Sequence, residues 1–187
     1  YMCPIIKGEA VRSVTGCVAT AMAQIIYYHK HPVEQTKAIP AYELSSRYVI
    51  PGADPVTLNW DAMQLTYTGS EAEDDPSALA VAQLMVLCGK SVKMSYSSSA
   101  SGAASESVPA ALKEYFDYDG TAHMVYRDEY ANADWEKMIY DELAAKRPVY
   151  LSGTSVSGTS AVGHAFVCDG YDGEGLFHIN WGWGGMS

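Results

Sequence analysis

Residues 163–181 read GHAFVCDGYDGEGLFHINW, and this segment decides the fold. Its first part is rich in β-branched, aromatic and other apolar residues, which predicts a strand over residues 163–169. A glycine-rich loop over residues 170–175 leads to a second predicted strand over residues 176–181. Residues 148–152 have the same character and supply a further strand. The C-terminal part of the chain is therefore predicted to form an antiparallel sheet.

The preceding part of the chain has the periodicity of helices. Apolar residues at 18, 21, 22, 25 and 26 predict a helix from residues 16–17 to just before Pro32, where proline ends it. Further helices are predicted over residues 77–87, from Pro109 to residue 115 or 116, and over residues 132–146 with Asn132 as cap. Residues 32–76 contain many prolines and glycines and are predicted to be irregular. Helices first and antiparallel strands last indicate an α+β fold.

Composition limits the classes of protein that this chain can represent. The chain has 187 residues, of which 48% are hydrophobic and 18% charged, and it shows no long linker. This predicts one domain, with a helical lobe over about residues 1–146, a sheet-rich lobe over about residues 147–187, and a cleft between them. The formal net charge of −10 argues against a nucleic-acid partner. The apolar runs are too short to predict a membrane span.

The cysteines and histidines give no sign of a metal site. The four cysteines include no CxxC pair, so the sequence does not support structural zinc, and they are too few for a disulfide scaffold. Cys88 and Cys168 are interpreted as buried apolar residues, and Cys3 as an incidental residue near a chain end. His29 and His31 are interpreted as a helix end whose positive charge suits the helix dipole.

Cys17 is the first candidate for chemistry. It follows Gly16 at the predicted N-terminus of the first helix, where unpaired N–H groups and the helix dipole favour a thiolate. Taken alone, a single cysteine is more often a small core residue, so the structural interpretation stays open at this point.

His164 and Asn180 strengthen this candidate. His164 follows Cys17 by 147 residues (164 − 17), a spacing typical of papain-like enzymes, in which a histidine and then an asparagine follow the nucleophile. Asn180 lies on the next predicted strand, where its amide oxygen could hold the imidazole in one tautomer. A buried histidine with a structural partner explains His164 alone equally well. The ordered set of three residues favours a cysteine nucleophile with a histidine base.

Four segments of the chain resemble the streptopain family of secreted bacterial cysteine peptidases. They are residues 16–25 (GCVATAMAQI), 28–32 (YHKHP), 163–170 (GHAFVCDG) and 177–185 (FHINWGWGG). The likeness covers nearly the whole chain, and the first and last motifs are long and specific. It implies a papain-like fold, a single catalytic domain over residues 1–187, secretion from a bacterium, and neither a metal nor an organic cofactor.

The resemblance also assigns residue roles. It makes Cys17 the nucleophile and His164 the general base and later acid. It matches Asn180 and Trp181 to the residues that orient and shield the histidine. It matches four small residues to segments that line the substrate cleft: Ser101, Gly102, Ala103 and Gly163.

Substrates, partners and alternatives follow from the same likeness. It implies cleavage of proteins or peptides through an acyl-enzyme, and a zymogen held latent by a propeptide, with a propeptide or a proteinaceous inhibitor as partner. The family's oxyanion-hole glutamine and propeptide would precede Tyr1, and its tail would follow Ser187, as expected for a processed or trimmed piece. Two alternatives stay open: another acyl-transfer activity, such as an amidase or transglutaminase, and a catalytically silent protein that binds peptides or host proteins.

Overall fold

The computed structural model describes residues 2–45, 48–157 and 160–184. Within these residues, the α-helices are Cys17–His29 (α1), Pro76–Ser91 (α2), Val108–Tyr115 (α3) and Asn132–Ala144 (α4). The strands are Tyr42–Ser45 (β1), Tyr48–Ile50 (β2), Val149–Ser157 (β3), Ser160–Tyr171 (β4) and Phe177–Asn180 (β5). Short 3-10 helices span Ser105–Ser107 and Arg127–Glu129. The predicted α+β fold is confirmed.

Helix α1 has the boundaries that its apolar spacing predicts. Its apolar side chains are buried, and Met22 and Ile26 are completely inaccessible to solvent. The helix ends at His29, because Lys30 adopts a left-handed conformation with φ of 46°. His29 is the basic residue in the last turn, as predicted, and burial lowers the pKa of its imidazole, with further lowering from the neighbouring His31 and Arg147.

Helix α2 is longer than the sequence predicts at its C-terminal end. The carboxylate of Asp75 caps its start by accepting hydrogen bonds from the backbone N–H groups of Ser77 and Ala78, both at 2.9 Å. The helix then continues past residue 87, its predicted end, and through Gly89 to Ser91. A Cβ at Gly89 would lie 2.2 Å from the Tyr96 hydroxyl oxygen. The glycine is therefore explained by close packing rather than by helix termination.

Two further predictions about local structure are wrong. Asn132 is the first residue of α4 and does not cap it; its side-chain oxygen instead accepts hydrogen bonds from the Arg127 guanidinium. The region over residues 32–76 is not wholly irregular, because β1 and β2 form an antiparallel hairpin within it. These strands are short and owe their position to tertiary contacts, such as the 2.7 Å bond from the Tyr42 hydroxyl to the Met94 carbonyl. Such contacts leave no periodic pattern in a sequence.

The larger sheet has the strand order β3-β4-β5 and is antiparallel throughout. Along β4, Gly153 of β3 pairs with His164, and Val167 pairs with Asn180 of β5. Ala165 and Val167 face α1 and belong to the same hydrophobic core as Met22 and the α2 residue Leu84. His164, next to Ala165 on β4, has its ring against Trp181.

Helices and sheet thus share one hydrophobic core. Cys3 is 7% exposed and belongs to this core, so its interpretation as an incidental residue is wrong. Cys88 and Cys168 are buried, as predicted. The division into two lobes of one catalytic domain stays a prediction. None of the helices in the described ranges is long and apolar enough to cross a membrane.

Candidate active site

Cys17 is the first residue of α1, and Gly16 occupies the N-cap position before it. Gly16 has φ of 86°, and a Cβ there would lie 2.8 Å from the carbonyl oxygen of Ser101 and 3.0 Å from the Met94 side chain. Only glycine suits both the backbone conformation and the space. No side chain of the described residues caps this helix end, and no acidic residue lies in its first turn. The start of α1 therefore presents unpaired N–H groups and a positive dipole beside the thiol.

Two other segments lie close to Cys17. The loop over residues 95–104 is anchored to the chain before α1, because the Val14 N–H donates to the Ser97 carbonyl over 3.1 Å. From β3, Tyr150 reaches the same region and shares a 2.7 Å hydrogen bond with the Ser105 hydroxyl. Burial raises the pKa of Tyr150 to about 12, and the nearby Cys17 and Glu106 charges contribute in the same direction. Tyr150 is therefore a neutral phenol near the thiol at physiological pH.

The four cysteines differ in accessibility. Cys17 is half-buried, whereas the others are buried. Burial also raises the pKa of the Cys88 thiol and that of Cys168. Among the described residues, the thiol of Cys17 has no hydrogen-bond partner. Cys17 is consequently the cysteine best placed to react.

His164 lies on β4, the strand against which α1 packs. Its Nε2 atom is 2.9 Å from the backbone carbonyl oxygen of Trp181. A carbonyl oxygen can only accept a hydrogen bond, so Nε2 carries the proton. In the neutral ring, Nδ1 then holds the free lone pair. The geometry leaves that nitrogen available as a base.

Asn180 is close to His164 but does not bond to its ring. The Asn180 Oδ1 accepts one hydrogen bond from Gln24 Nε2 over 3.1 Å and another from the Gly182 N–H over 3.0 Å. The predicted contact between the amide oxygen and the imidazole is therefore replaced by the Trp181 carbonyl. The reason is geometric, since the chain turns at Gly182, which has φ of 76°, and this turn directs a backbone oxygen at the ring.

Aromatic side chains surround the imidazole. The His164 ring lies 5.0 Å from the Trp183 ring centroid, 6.2 Å from that of Trp181 and 6.0 Å from that of Phe166. Trp181 and Trp183 are 37% and 55% exposed, so this cluster is also a solvent-facing surface. The rings restrict the orientations open to the imidazole and keep water from its faces.

The small residues predicted to line a cleft are divided between two places. Ser101 and Gly102 lie in the loop next to Gly16, and Gly102 pairs with Ser95 through two backbone hydrogen bonds of 2.8 and 3.2 Å. Ala103 follows and packs against the core. Gly163 precedes His164 on β4 and is exposed. Among the described residues, a Cβ at Gly102 or Gly163 would meet no atom within 4 Å, so these residues leave open space above both glycines.

Gln24, Tyr150 and Gly182 belong to this region, although the sequence analysis assigned none of them a role in the site. Gln24 is a polar residue among the apolar residues of α1, and that exception was the available signal. Tyr150 had no such signal, because tyrosine is common in strands. In the parts of the chain that the structure describes, no group of three or more His, Cys, Asp or Glu side chains could hold a metal ion.

A cysteine at a helix start, on a helix packed against an antiparallel sheet that carries a histidine, defines the papain-like class of folds. The chain belongs to the peptidase C10 family, whose sequence model matches residues 1–187.

Comparison with individual relatives agrees with this family. Streptopain from Streptococcus pyogenes is 39% identical over 183 residues, which cover 94% of this chain and 44% of the relative. The thiol protease/hemagglutinin PrtT from Porphyromonas gingivalis is 37% identical over 178 residues, covering 94% of this chain and 20% of PrtT. The chain thus spans less than half the length of these curated relatives.

Solved structures show the same fold. The active wild-type interpain A cysteine protease from Prevotella intermedia superposes with a TM-score of 0.87 at 34% identity, over 98% of this chain and 76% of that one. A mutant prointerpain A fragment from the same organism gives a TM-score of 0.81 at 34% identity, over 98% of this chain and 57% of that one. The papain-like fold expected from the sequence is confirmed.

Proposed function

We propose that residues 1–187 form the catalytic domain of a cysteine endopeptidase that hydrolyses peptide bonds in proteins. One observation carries the proposal: the accessible thiol, Cys17, stands at the uncapped start of α1, and α1 packs against the strand whose histidine keeps Nδ1 free. Membership of the peptidase C10 family and the thiol protease names of the relatives support it.

In the first half of the reaction, Nδ1 of His164 takes the thiol proton of Cys17, and the resulting thiolate attacks the carbonyl carbon of the scissile peptide bond to form a C–S bond. The positive end of α1 favours the thiolate, and the backbone N–H of Cys17 stabilises the oxyanion. His164 delivers a proton from Nδ1 to the leaving amine as the C–N bond breaks. The product is an acyl-enzyme on Cys17.

In the second half, His164 takes a proton from water through Nδ1, and the resulting hydroxide attacks the thioester. The C–S bond breaks and the carboxylic acid leaves, and the proton on Nδ1 returns to the sulfur, which restores the thiol and the neutral imidazole. Throughout, the Trp181 carbonyl holds the Nε2 proton and stabilises the imidazolium that forms. Catalytic hydrogen bonds often tighten only when substrate is bound.

Asn180 and Trp181 act through the same carbonyl in this proposal. Asn180 holds the N–H of the Trp181–Gly182 peptide, and the carbonyl of that peptide holds His164. Ser101, Gly102, Ala103 and Gly163 bind substrate. The open space at Gly102 and Gly163 supports this role, because an extended peptide could approach the backbone there.

The proposal also covers the form in which the enzyme is synthesised and where it acts. We propose a secreted bacterial enzyme that is made with a propeptide, and its substrates are proteins or peptides. The support is family membership and a solved structure described as a prointerpain A fragment. Fractionation of a culture of the source organism tests secretion, and accumulation of the processed chain inside the cells would contradict it.

The activity is tested by casein hydrolysis under reducing conditions with Cys17→Ala and His164→Ala. Both variants are expected to lose hydrolysis at least a thousandfold while retaining the native circular dichroism spectrum. His178→Ala is the matched control, because His178 lies on β5 with an exposed side chain that pairs with Asp169. Hydrolysis by Cys17→Ala at the wild-type rate would refute the nucleophile. Amine incorporation without hydrolysis would instead indicate a transglutaminase.

A further inference from the structure

We propose that Gln24 is a positioning residue that orients His164 through Asn180 and the Trp181–Gly182 peptide group. The proposal deepens the cysteine peptidase function argued above and rests on it for its kinetic test. Gln24 lies on α1, the same helix that carries Cys17.

The first step concerns a single peptide group. The carbonyl oxygen of Trp181 accepts the hydrogen bond from His164, and the N–H of Gly182 donates to Asn180 Oδ1. These two atoms are opposite ends of the same planar peptide unit. Because the unit is rigid, fixing its N–H with Asn180 also fixes the direction in which its carbonyl points at the imidazole.

The second step is that every donor in this chain of bonds is determined. The Gly182 N–H can only donate, so the Asn180 atom facing it is the oxygen. Gln24 bonds to that same oxygen and must therefore present its Nε2 donor. With two donors on one oxygen and a carbonyl facing Nε2 of His164, one proton arrangement satisfies all three bonds. The Gly182 N–H bond and the Trp181 carbonyl bond are in series through one peptide group, and bonds in series polarise one another, which strengthens the carbonyl as an acceptor.

The third step concerns the oxygen of the Gln24 side-chain amide, Oε1, which forms no hydrogen bond with the described residues. This oxygen is also buried. A buried carbonyl without a partner is unfavourable, and an apolar side chain of similar length would avoid this cost. The contribution of the amide is therefore its bond to Asn180.

The fourth step is that Gln24 shares a helix face with the nucleophile. Cys17, Thr20 and Gln24 are spaced by three and four residues, so they lie along one side of α1. Thr20 meets the same segment, since a Cβ at Gly182 would lie 3.1 Å from Thr20 Cγ2. One rigid helix thus holds the thiol at its start and supports the carbonyl that orients the base. Gln24 couples the positions of the two reacting groups.

Gln24→Met tests the proposal, because methionine keeps the length and removes the donor. Gln83→Met is the matched control: Gln83 is a half-buried helical glutamine on α2. With a peptide substrate, we expect kcat of Gln24→Met to fall about tenfold, the loss set by one buried hydrogen bond, with KM within about twofold. Gln24→Glu should show the same loss, since a carboxylate cannot donate to Asn180 Oδ1.

A spectroscopic measurement separates positioning from a general effect on stability. NMR of protein with ¹⁵N-labelled histidine reports the His164 Nε2–H proton. This proton should be protected from exchange with solvent in the wild type and in Gln83→Met. In Gln24→Met it should exchange at least tenfold faster. The Gln24→Met, Asn180→Ala double variant should be no slower in catalysis than Asn180→Ala alone.

The outcomes distinguish this proposal from the proposed function. If the wild type hydrolyses no peptide, the peptidase function fails, yet the exchange measurement still tests the link from Gln24 to His164. If kcat and the Nε2–H exchange of Gln24→Met both match those of Gln83→Met, the positioning role is refuted. Additive losses in the double variant would refute it as well.

Discussion

The imidazole of His164 is held by the backbone of Trp181, through a 2.9 Å hydrogen bond from Nε2 to the carbonyl oxygen. The side chain expected to hold the ring, Asn180, instead binds the N–H at the other end of the same peptide group. Orientation of the histidine therefore depends on the backbone conformation at residues 180–182 more than on the chemistry of one side chain.

This arrangement predicts that catalytic activity tolerates substitution of the Trp181 side chain but not substitution of Gly182. Trp181→Phe keeps the carbonyl and should retain most of the activity. Gly182→Ala should lower kcat/KM roughly ten- to hundredfold, because φ of 76° disfavours alanine and the new Cβ would press on Thr20. Steady-state hydrolysis of a fluorogenic peptide measures both. Equal losses in the two variants would contradict a role for the carbonyl.

Gly16→Ala is expected to destabilise the protein by about 2 kcal/mol or more, since it combines an unfavourable φ with a close contact. The new Cβ would lie 2.8 Å from the Ser101 carbonyl oxygen, which moves the loop away from the start of α1. Urea unfolding followed by circular dichroism measures the change. Gly120→Ala is the control, because a Cβ there meets no atom within 4 Å, and a similar loss in both variants would argue against this explanation.

Thiol labelling should distinguish Cys17 from the other three cysteines. A short treatment of the reduced native protein with iodoacetamide near neutral pH is expected to modify Cys17 first, because the other cysteines are buried. Burial also raises the pKa of Cys88 and Cys168, which lowers their thiolate fraction further. Peptide mapping by mass spectrometry identifies the labelled residue. Labelling in urea should reach all the cysteines, and native labelling of Cys88 at the same rate as Cys17 would oppose the prediction.

The stability of α2 should depend on pH through Asp75. Hydrogen bonds from the Ser77 hydroxyl and the backbone of Ala78 lower the pKa of this carboxyl below its ordinary value. Its stabilising effect is therefore complete above the unfolded-state pKa and is lost as the pH falls through the lower native pKa.

Asp75→Ala should accordingly lower the thermal unfolding midpoint at pH 7. The difference in midpoint between this variant and the wild type should become smaller as the solution is acidified below about pH 4. Asp74→Ala is the matched control, since Asp74 neighbours the cap residue without capping α2. A difference between Asp75→Ala and the wild type that stays constant down to pH 2 would contradict capping by the carboxylate.

The sequence by itself determined the elements whose signals are local. The apolar spacing of α1, Pro32 beyond its end, and the β-rich C-terminal segment were sufficient for the α+β fold, because secondary structure is set largely by neighbouring residues. Cys17 and His164 were also recognisable, since the motifs around them are long. The short β1–β2 hairpin and the continuation of α2 past Gly89 were not, because contacts with Met94 and Tyr96 decide them.

Only the tertiary structure decided which groups serve the histidine. The bond from His164 to the Trp181 carbonyl depends on φ at Gly182, and the bond from Gln24 to Asn180 joins residues 156 positions apart. Neither a backbone oxygen nor a contact over that separation has a residue-type signature. Local sequence selects the chemical groups, whereas the packing of α1 on the sheet determines where those groups meet.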